Sequence, residues 1–492
     1  MKKAALIILT LSFAFFCRAQ NEDDALRYSL AGFGGTARYM ALGGAFGALG
    51  ADFSTLSTNP AGLGLYNSSE FTFTPSFFVG RTSSDYFNRN NVDSKYNFNM
   101  GNVGYVFNMT PVNRISEEGW KNFQIGLGLN RYQNFNNRIL TEGENNSNSL
   151  IDVFTDQAQG LHYSEIEQDY DGLYAYDLNL AWWTYLIDIV PADSSHYIGA
   201  IPYRQGGVMQ RFSKETTGST NEFVFSIGAN YNNKLYFGAT VGFPYVRYFS
   251  ESVYSETVIN PVDSGLVDFS LYDELETRGA GTNFKFGIIY RPTGWMRIGG
   301  AIHTPTFYWS MTDYWSSYLE STFQEGTRYD RSSPEGSYDY RLNTPMKAIG
   351  SLAFLIGNKG LISADYEYID YREARLRGDY YSFFNENDAV RSNFTSASNI
   401  KIGTEWIVDK FSFRGGFGLY GNPYKSSINN GERTSLSCGF GYRDKHYFID
   451  LAYVRMMSNE DYYLYGSDNF EVKPAVNDYT SNNFLLTVGL RY

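Results

Sequence analysis

The chain has 492 residues, enough for one large domain or several ordinary ones, and its 43% hydrophobic content comes with a negative mean hydropathy. Past the first twenty residues no apolar run approaches the roughly 18 residues a spanning helix needs, which excludes a helical membrane protein. A net charge of −12 with no strong basic block excludes nucleic-acid binding as a whole-chain function.

The remaining composition points to β-structure. Aromatic residues reach 18%, with 42 Tyr and 38 Phe, beside 48 Gly and only 13 Pro. Such a balance suits an outer-membrane barrel with aromatic girdles, and a soluble β-sandwich is the other all-β option.

The first segment reads as a targeting signal. Met1-Lys2-Lys3 is positive, Ala4 to Phe16 is apolar, and Cys17-Arg18-Ala19 puts small residues at −3 and −1. Cleavage is expected after Ala19, so residues 1–19 are a signal peptide and the mature chain starts at Gln20. Lipoprotein processing at Cys17 is the lesser alternative, because Phe16 before it is bulky. Cleavage after Ala19 leaves Cys438 as the single mature cysteine, so no intrachain disulfide is expected.

Residues 20–66 do not alternate. They are small and mixed, from Ala31-Gly32-Phe33-Gly34-Gly35 through Ala41-Leu42-Gly43-Gly44-Ala45-Phe46 to Asn59-Pro60-Ala61-Gly62-Leu63. Asp52 is a candidate N-cap for a short helix, and Pro60 disfavours helical geometry at Asn59. A Gly-rich apolar segment ahead of a barrel can fold back as a hatch that plugs the lumen.

From about residue 69 the pattern changes to period two. Phe484, Leu486, Val488, Leu490 and Tyr492 share one face, and the chain ends on that aromatic. Fourteen such strands are read, near 69–79, 95–109, 121–133, 221–232, 234–250, 281–290, 295–310, 338–356, 361–372, 394–407, 410–420, 433–443, 446–457 and 482–492. Connections such as Asn232-Asn233, Val408-Asp409 and Asp444-Lys445 are tight, whereas the alternate ones are long and polar, up to the 134–220 insertion. Short turns at one end and long loops at the other are the bacterial outer-membrane pattern. The prediction is therefore an all-β fold: a 14-stranded antiparallel transmembrane barrel over 67–492, with both mature termini on the periplasmic side. Backbone groups cannot stay unpaired in lipid, so such a sheet must close.

The run Ala41-Leu42-Gly43-Gly44-Ala45-Phe46 followed by Asn59-Pro60-Ala61-Gly62-Leu63 resembles the N-terminal hatch of the FadL/TodX family. Further matches include His303-Thr304-Pro305-Thr306, Asn343-Thr344-Pro345 and Ile402-Gly403-Thr404-Glu405-Trp406, so the likeness covers the hatch and most strands from 295 onward. The resemblance implies a fourteen-stranded channel of the Gram-negative outer membrane for long-chain fatty acids and other hydrophobic compounds. It implies capture at the loops, an apolar pocket within the barrel, a shift of the hatch and lateral release into the membrane. Gating is assigned to Gly43, Gly44, Ala45, Phe46, Asn59, Pro60, Ala61, Gly62 and Leu63. The 134–220 insertion departs from the better-known members.

Within that insertion, Trp182, Trp183, Tyr185 and Leu186, with Ile187, form either a capture surface or a structural cluster under a long loop. Lys401, Glu405, Arg414, Asp365, Glu367, Asp450, Arg455 and Arg491 are read as inward charges that mostly satisfy one another. Cys438 is read as lipid-facing. The partners expected are a hydrophobic small molecule and outer-membrane lipids. The alternative is a secretion-type role with other outer-membrane or secreted proteins. His162, His196, His303 and His446 lack metal-ligand spacing, and no nucleophile elbow or phosphate loop occurs, so no metal, cofactor or enzymatic activity is expected.

Overall fold

The computed structural model describes residues 20–109, 118–191, 193–200, 207–261, 265–425, 429–467 and 469–492. The expected signal peptide, residues 1–19, lies outside the described residues.

Fourteen antiparallel staves form one closed sheet. They are β1 (Glu70–Tyr86), β2 (Arg89–Met109), β3 (Trp120–Asn134), β4 (Val208–Tyr231), β5 (Leu235–Val258) and β6 (Leu266–Thr293). Next come β7 (Met296–His303 and Phe307–Phe323), β8 (Gly336–Asn343 and Lys347–Ile356), β9 (Gly360–Asp370) and β10 (Ser396–Val408). The wall ends with β11 (Phe411–Tyr420), β12 (Arg433–Arg443), β13 (Tyr447–Tyr462) and β14 (Ala475–Arg491). Each stave pairs with its sequence neighbours, and β14 pairs with β1 from Glu70↔Arg491 to Asp85↔Val476. The ring is latched where Ser69 and Tyr492 exchange backbone bonds of 3.1 and 3.2 Å.

The alternation works as predicted. On β11, Phe411, Phe413 and Phe417 are exposed while Ser412 and Arg414 are buried. Facing outward in quantity, such side chains form an apolar band that suits lipid. Trp120, Trp295, Trp406, Tyr442 and Tyr447 gather near the short-turn end as an aromatic belt. Cys438 is exposed on this outer face. The Asn232–Asn233 turn takes φ values of 56° and 54°, the left-handed pair that a two-residue hairpin requires.

Two sequence expectations about the wall need correction. Arg455 faces outward: it is an odd number of positions from Asp450, so the two-residue period puts them on opposite faces. The staves also run farther than the apolar alternation. β1 and β2 continue to a tight turn at Phe87–Asn88, and β4 starts at Val208 within the expected 134–220 loop. Above the apolar band the outward face turns polar, so the alternation weakens although Phe269 and Leu319 still point into the cap core. Gln20 stands inside the barrel toward the loop end, where its Nε2 donates to Asp313 Oδ2 on β7 at 2.8 Å.

Residues 20–66 fill the lumen. Helix α1 (Glu22–Ser29) is opened by a capping box in which Asn21 Oδ1 accepts from Asp24 N at 3.1 Å and Asn21 N donates back at 3.2 Å. α2 (Ala37–Ala41) is capped by Thr36, and α3 (Thr55–Thr58) leads into a 3₁₀ turn, Pro60–Leu65. Asp52 does not cap α3; its carboxylate accepts from Ser54 N at 3.0 Å and from the Thr36 hydroxyl at 2.8 Å, folding the hatch on itself. Asn59 is extended, at φ −134° and ψ 101°, as the following proline dictates.

Over the loop end, the insertion folds as a cap. The strand Asn137–Asn145 pairs with the upper part of β4, followed by α4 (Leu150–Ala158), α5 (Tyr163–Glu167), α6 (Leu178–Trp183) and a small ribbon. Ile151, Phe154, Leu180, Leu186, Phe269 and Leu319 share its core. A second helix-bearing loop places α7 (Phe384–Asn393) against α1 through Tyr28, Phe383, Val390 and Phe394.

Candidate functional site

The hatch docks on the wall backbone to backbone. Where it touches, the wall carries glycine. A Cβ on Gly299 would collide with the Gly47 carbonyl, on Gly287 with Asn59 Oδ1, and on Gly238 with the Pro60 backbone. Gly403 and Gly416 likewise leave room for Leu42 and Gly43. Gly43 and Gly44 themselves turn through left-handed φ values of 64° and 76°.

Asn59 is the clasp of this arrangement. Fully buried, it donates through Nδ2 to Gly47 O at 2.6 Å and to Ile288 O of β6 at 3.3 Å, and its Oδ1 accepts from Ala61 N at 3.1 Å. Next to it, His303 Nε2 lies 2.7 Å from Thr58 O, which makes that histidine a hatch-to-wall tie. The N–H groups of Phe46 and Gly47 both donate to Asp365 Oδ2, at 2.9 and 2.8 Å. The Gly43–Phe46 and Asn59–Leu63 segments therefore hold the hatch to the barrel from two sides.

The inward charges form chains. Arg38 of α2 donates through Nε to Glu405 Oε2 at 2.9 Å, Arg414 Nε donates to the same oxygen at 2.6 Å, and Arg414 Nη1 reaches Asp450 at 2.6 Å. Burial works against the charged Arg38, and the Glu405 carboxylate outweighs it, so its pKa is raised. Glu367 lies 3.4 Å from both Lys347 and Lys401, and Arg491 binds Glu70 at 2.8 Å. Lys285 pairs with Glu222.

One part of the wall is incomplete. The β2–β3 ladder stops at Asn102↔Asn130. Beside it, Gly101 bulges opposite Thr74–Pro75, and Tyr132 bulges out of the β3–β4 register. The hatch takes the missing place: Phe33 N donates to Tyr132 O at 3.0 Å, and Gln133 Nε2 donates to Leu30 O at 3.0 Å. Gly32 and Gly34 sit so close that a Cβ on either would strike the β3 backbone.

A cavity of about 100 Å³ lies on the lumen side of this seam, bounded by Leu30, Ala31, Gly32, Gly34 and Tyr132. Its other walls bring Lys285, Lys347, Lys401, Glu222 and Glu367 together with Ile349 and Ile369. The breaks in β7 at Thr304–Thr306 and in β8 at Thr344–Pro345 also line it, joined by Thr306 N to Thr344 Oγ1 at 2.9 Å. The expected apolar pocket is thus mixed, because inward positions of the staves carry charge.

The loop aromatics separate into core and surface. Leu186 is fully buried in the cap, which removes it from any capture surface. Trp182 stacks on Tyr163 at 5.9 Å, and Trp183 donates from Nε1 to Glu167 O at 3.3 Å under the Arg331 guanidinium. Tyr185 is half-exposed against Tyr329. Among the described residues no three His, Cys, Asp or Glu side chains group as a metal site.

No family model and no curated relative matches the chain. Solved structures do. The Pseudomonas putida toluene transporter TodX matches at 12% identity and a TM-score of 0.51, covering 94% of this chain and 99% of that one. A Pseudomonas aeruginosa FadL homologue matches at 12% identity and a TM-score of 0.53, with the same coverage. The chain therefore has the FadL/TodX channel fold, a closed 14-stranded barrel with an N-terminal hatch.

Proposed function

We propose that the protein is an outer-membrane channel for passive uptake of a hydrophobic small molecule. The observation that carries this reading is the seam between β2 and β3, sealed by hatch residues 31–34 rather than by wall strand. The same few residues wall off the cavity from the inside. Moving them joins the lumen to the lipid phase without opening an aqueous pore.

Ligand is captured at the loop end, enters the cavity, and leaves sideways as Gly32–Gly34 withdraws from Tyr132. Lateral exit suits an apolar molecule, which gains about 0.8 kcal/mol per buried CH₂ by passing into the bilayer. The mixed cavity lining favours a molecule with a polar end, such as a long-chain fatty acid, over a pure hydrocarbon such as the toluene named for TodX. Gly43–Phe46 and Asn59–Leu63 set the hatch position, so they gate by holding it.

The test is uptake into vesicles by correctly inserted protein, with a fatty acid and toluene as parallel probes. Asn59→Ala is expected to lower uptake severalfold while the barrel stays folded. Gly34→Val, which forces the hatch off β3, is expected to change it as well. Unchanged uptake in both variants removes the gating role. Native mass spectrometry of protein from its own membrane adds an independent check: a stoichiometric protein partner and no bound small molecule would favour a secretion-type role.

A further inference from the structure

A second cavity, of about 490 Å³, lies beneath the hatch at the short-turn mouth, separate from the seam. Arg38, Arg291, Arg297 and Arg443 line it, and Glu405 is the one acid among its lining residues. That acid is already engaged, since both Arg38 and Arg414 donate to it.

The other arginines are poorly matched. Arg297 projects inward from β7 between outward neighbours, and its side chain has no ion pair or hydrogen bond among the described residues; its Nε is buried without a partner. The Arg443 Nε is likewise buried without a partner, and its Nη2 makes only a long pair with Asp450 Oδ2 at 3.8 Å. Arg291 spends one donor on the Gly294 carbonyl at 3.1 Å. Asn67 and Asn358 add amides to the same lining. Convergent guanidiniums with donors to spare are a costly arrangement unless an anion takes up their N–H groups.

We propose that this vestibule is a binding site for a small oxyanion, a phosphate or carboxylate group, held by Arg297 and Arg443 with Arg38 and Arg291 at its rim. Planar guanidinium forks suit either group. Arg38 belongs to the hatch, so a bound anion adds a second tie between hatch and barrel beside Glu405. The site does not depend on the uptake reading, because it faces the opposite end of the hatch from the seam cavity.

The experiment is calorimetric titration of the full mature protein in non-ionic detergent, at constant ionic strength, with inorganic phosphate, acetate and hexanoate. Saturable binding is expected, and Arg297→Gln and Arg443→Gln are each expected to weaken it by about tenfold or more. Arg297→Gln breaks no ion pair, so the variant should fold; Arg297→Lys is the charge-retaining companion and should keep part of the affinity. Arg372→Gln, at the loop end, should bind as the parent does. Equal binding of all three anions supports a free oxyanion as occupant, whereas binding of hexanoate alone supports the charged end of a carried molecule. Absence of binding, or binding undiminished in both glutamine variants, overturns the proposal.

Discussion

Arg38 of the hatch and Glu405 of β10 meet with Nε 2.9 Å from Oε2, and Arg414 of β11 shares that same oxygen at 2.6 Å. One carboxylate of the wall thus ties a hatch cation and a wall cation together. Removing that charge strands the buried Arg38 and leaves Arg414 with Asp450 as its remaining carboxylate. Glu405→Gln is expected to cost about 3–5 kcal/mol, read as a lower thermal unfolding midpoint. Protease cleavage within residues 36–51 should increase while the barrel stays resistant.

Wall glycines make a sharper prediction, because they carry no charge. Gly299→Val puts a side chain where the Gly47 carbonyl stands. The hatch should leave its seat at that stave. Exchange protection of the Phe46 and Gly47 amides, both bound to Asp365, should drop, with the barrel ladder unaffected.

In the cap, Leu186 and Tyr185 are adjacent in sequence and opposite in surroundings. Leu186→Ala should destabilise the cap by about 2–5 kcal/mol, as a buried truncation does, detectable as easier proteolysis between 150 and 199. Tyr185→Ala should leave stability nearly unchanged. A fall in ligand affinity in Tyr185→Ala alone would assign capture to the exposed ring.

Cys438 offers a direct check of the outer face. A maleimide soluble in the bilayer should label it in reconstituted protein, and a charged aqueous maleimide should not. Equal labelling by both would place this face in water.

Much of the barrel was legible because its chemistry is periodic. Phe411 and Phe413 alternate with Ser412 and Arg414 for one reason, an exposed apolar face on one side and a packed lumen on the other. The hatch segments were visible as glycine and small residues without alternation. What stayed hidden depends on relations between distant residues. Nothing in the run Ala31–Gly35 says that Phe33 will meet Tyr132, since the end of the β2–β3 ladder is a fact about pairing and not about either strand alone. Arg297 and Arg443 look like ordinary inward charges until their buried, unpartnered Nε atoms are seen. For Leu186 the sequence leaves capture surface and buried cluster open, because the cap core that buries it comes from helices and from β6 and β7 together. The Asn21-x-x-Asp24 capping signal was available and would have located α1.

The latch between Ser69 and Tyr492 also has a temporal meaning. It unites the two extremes of the wall, so the ring cannot shut until its final residues have been synthesised. The hatch, residues 20–66, precedes every stave in the chain and is therefore made before the ring can shut. That order of synthesis predicts assembly as a wrapping of wall around plug. A mutation that delays hatch folding should show first as barrels that fail to close.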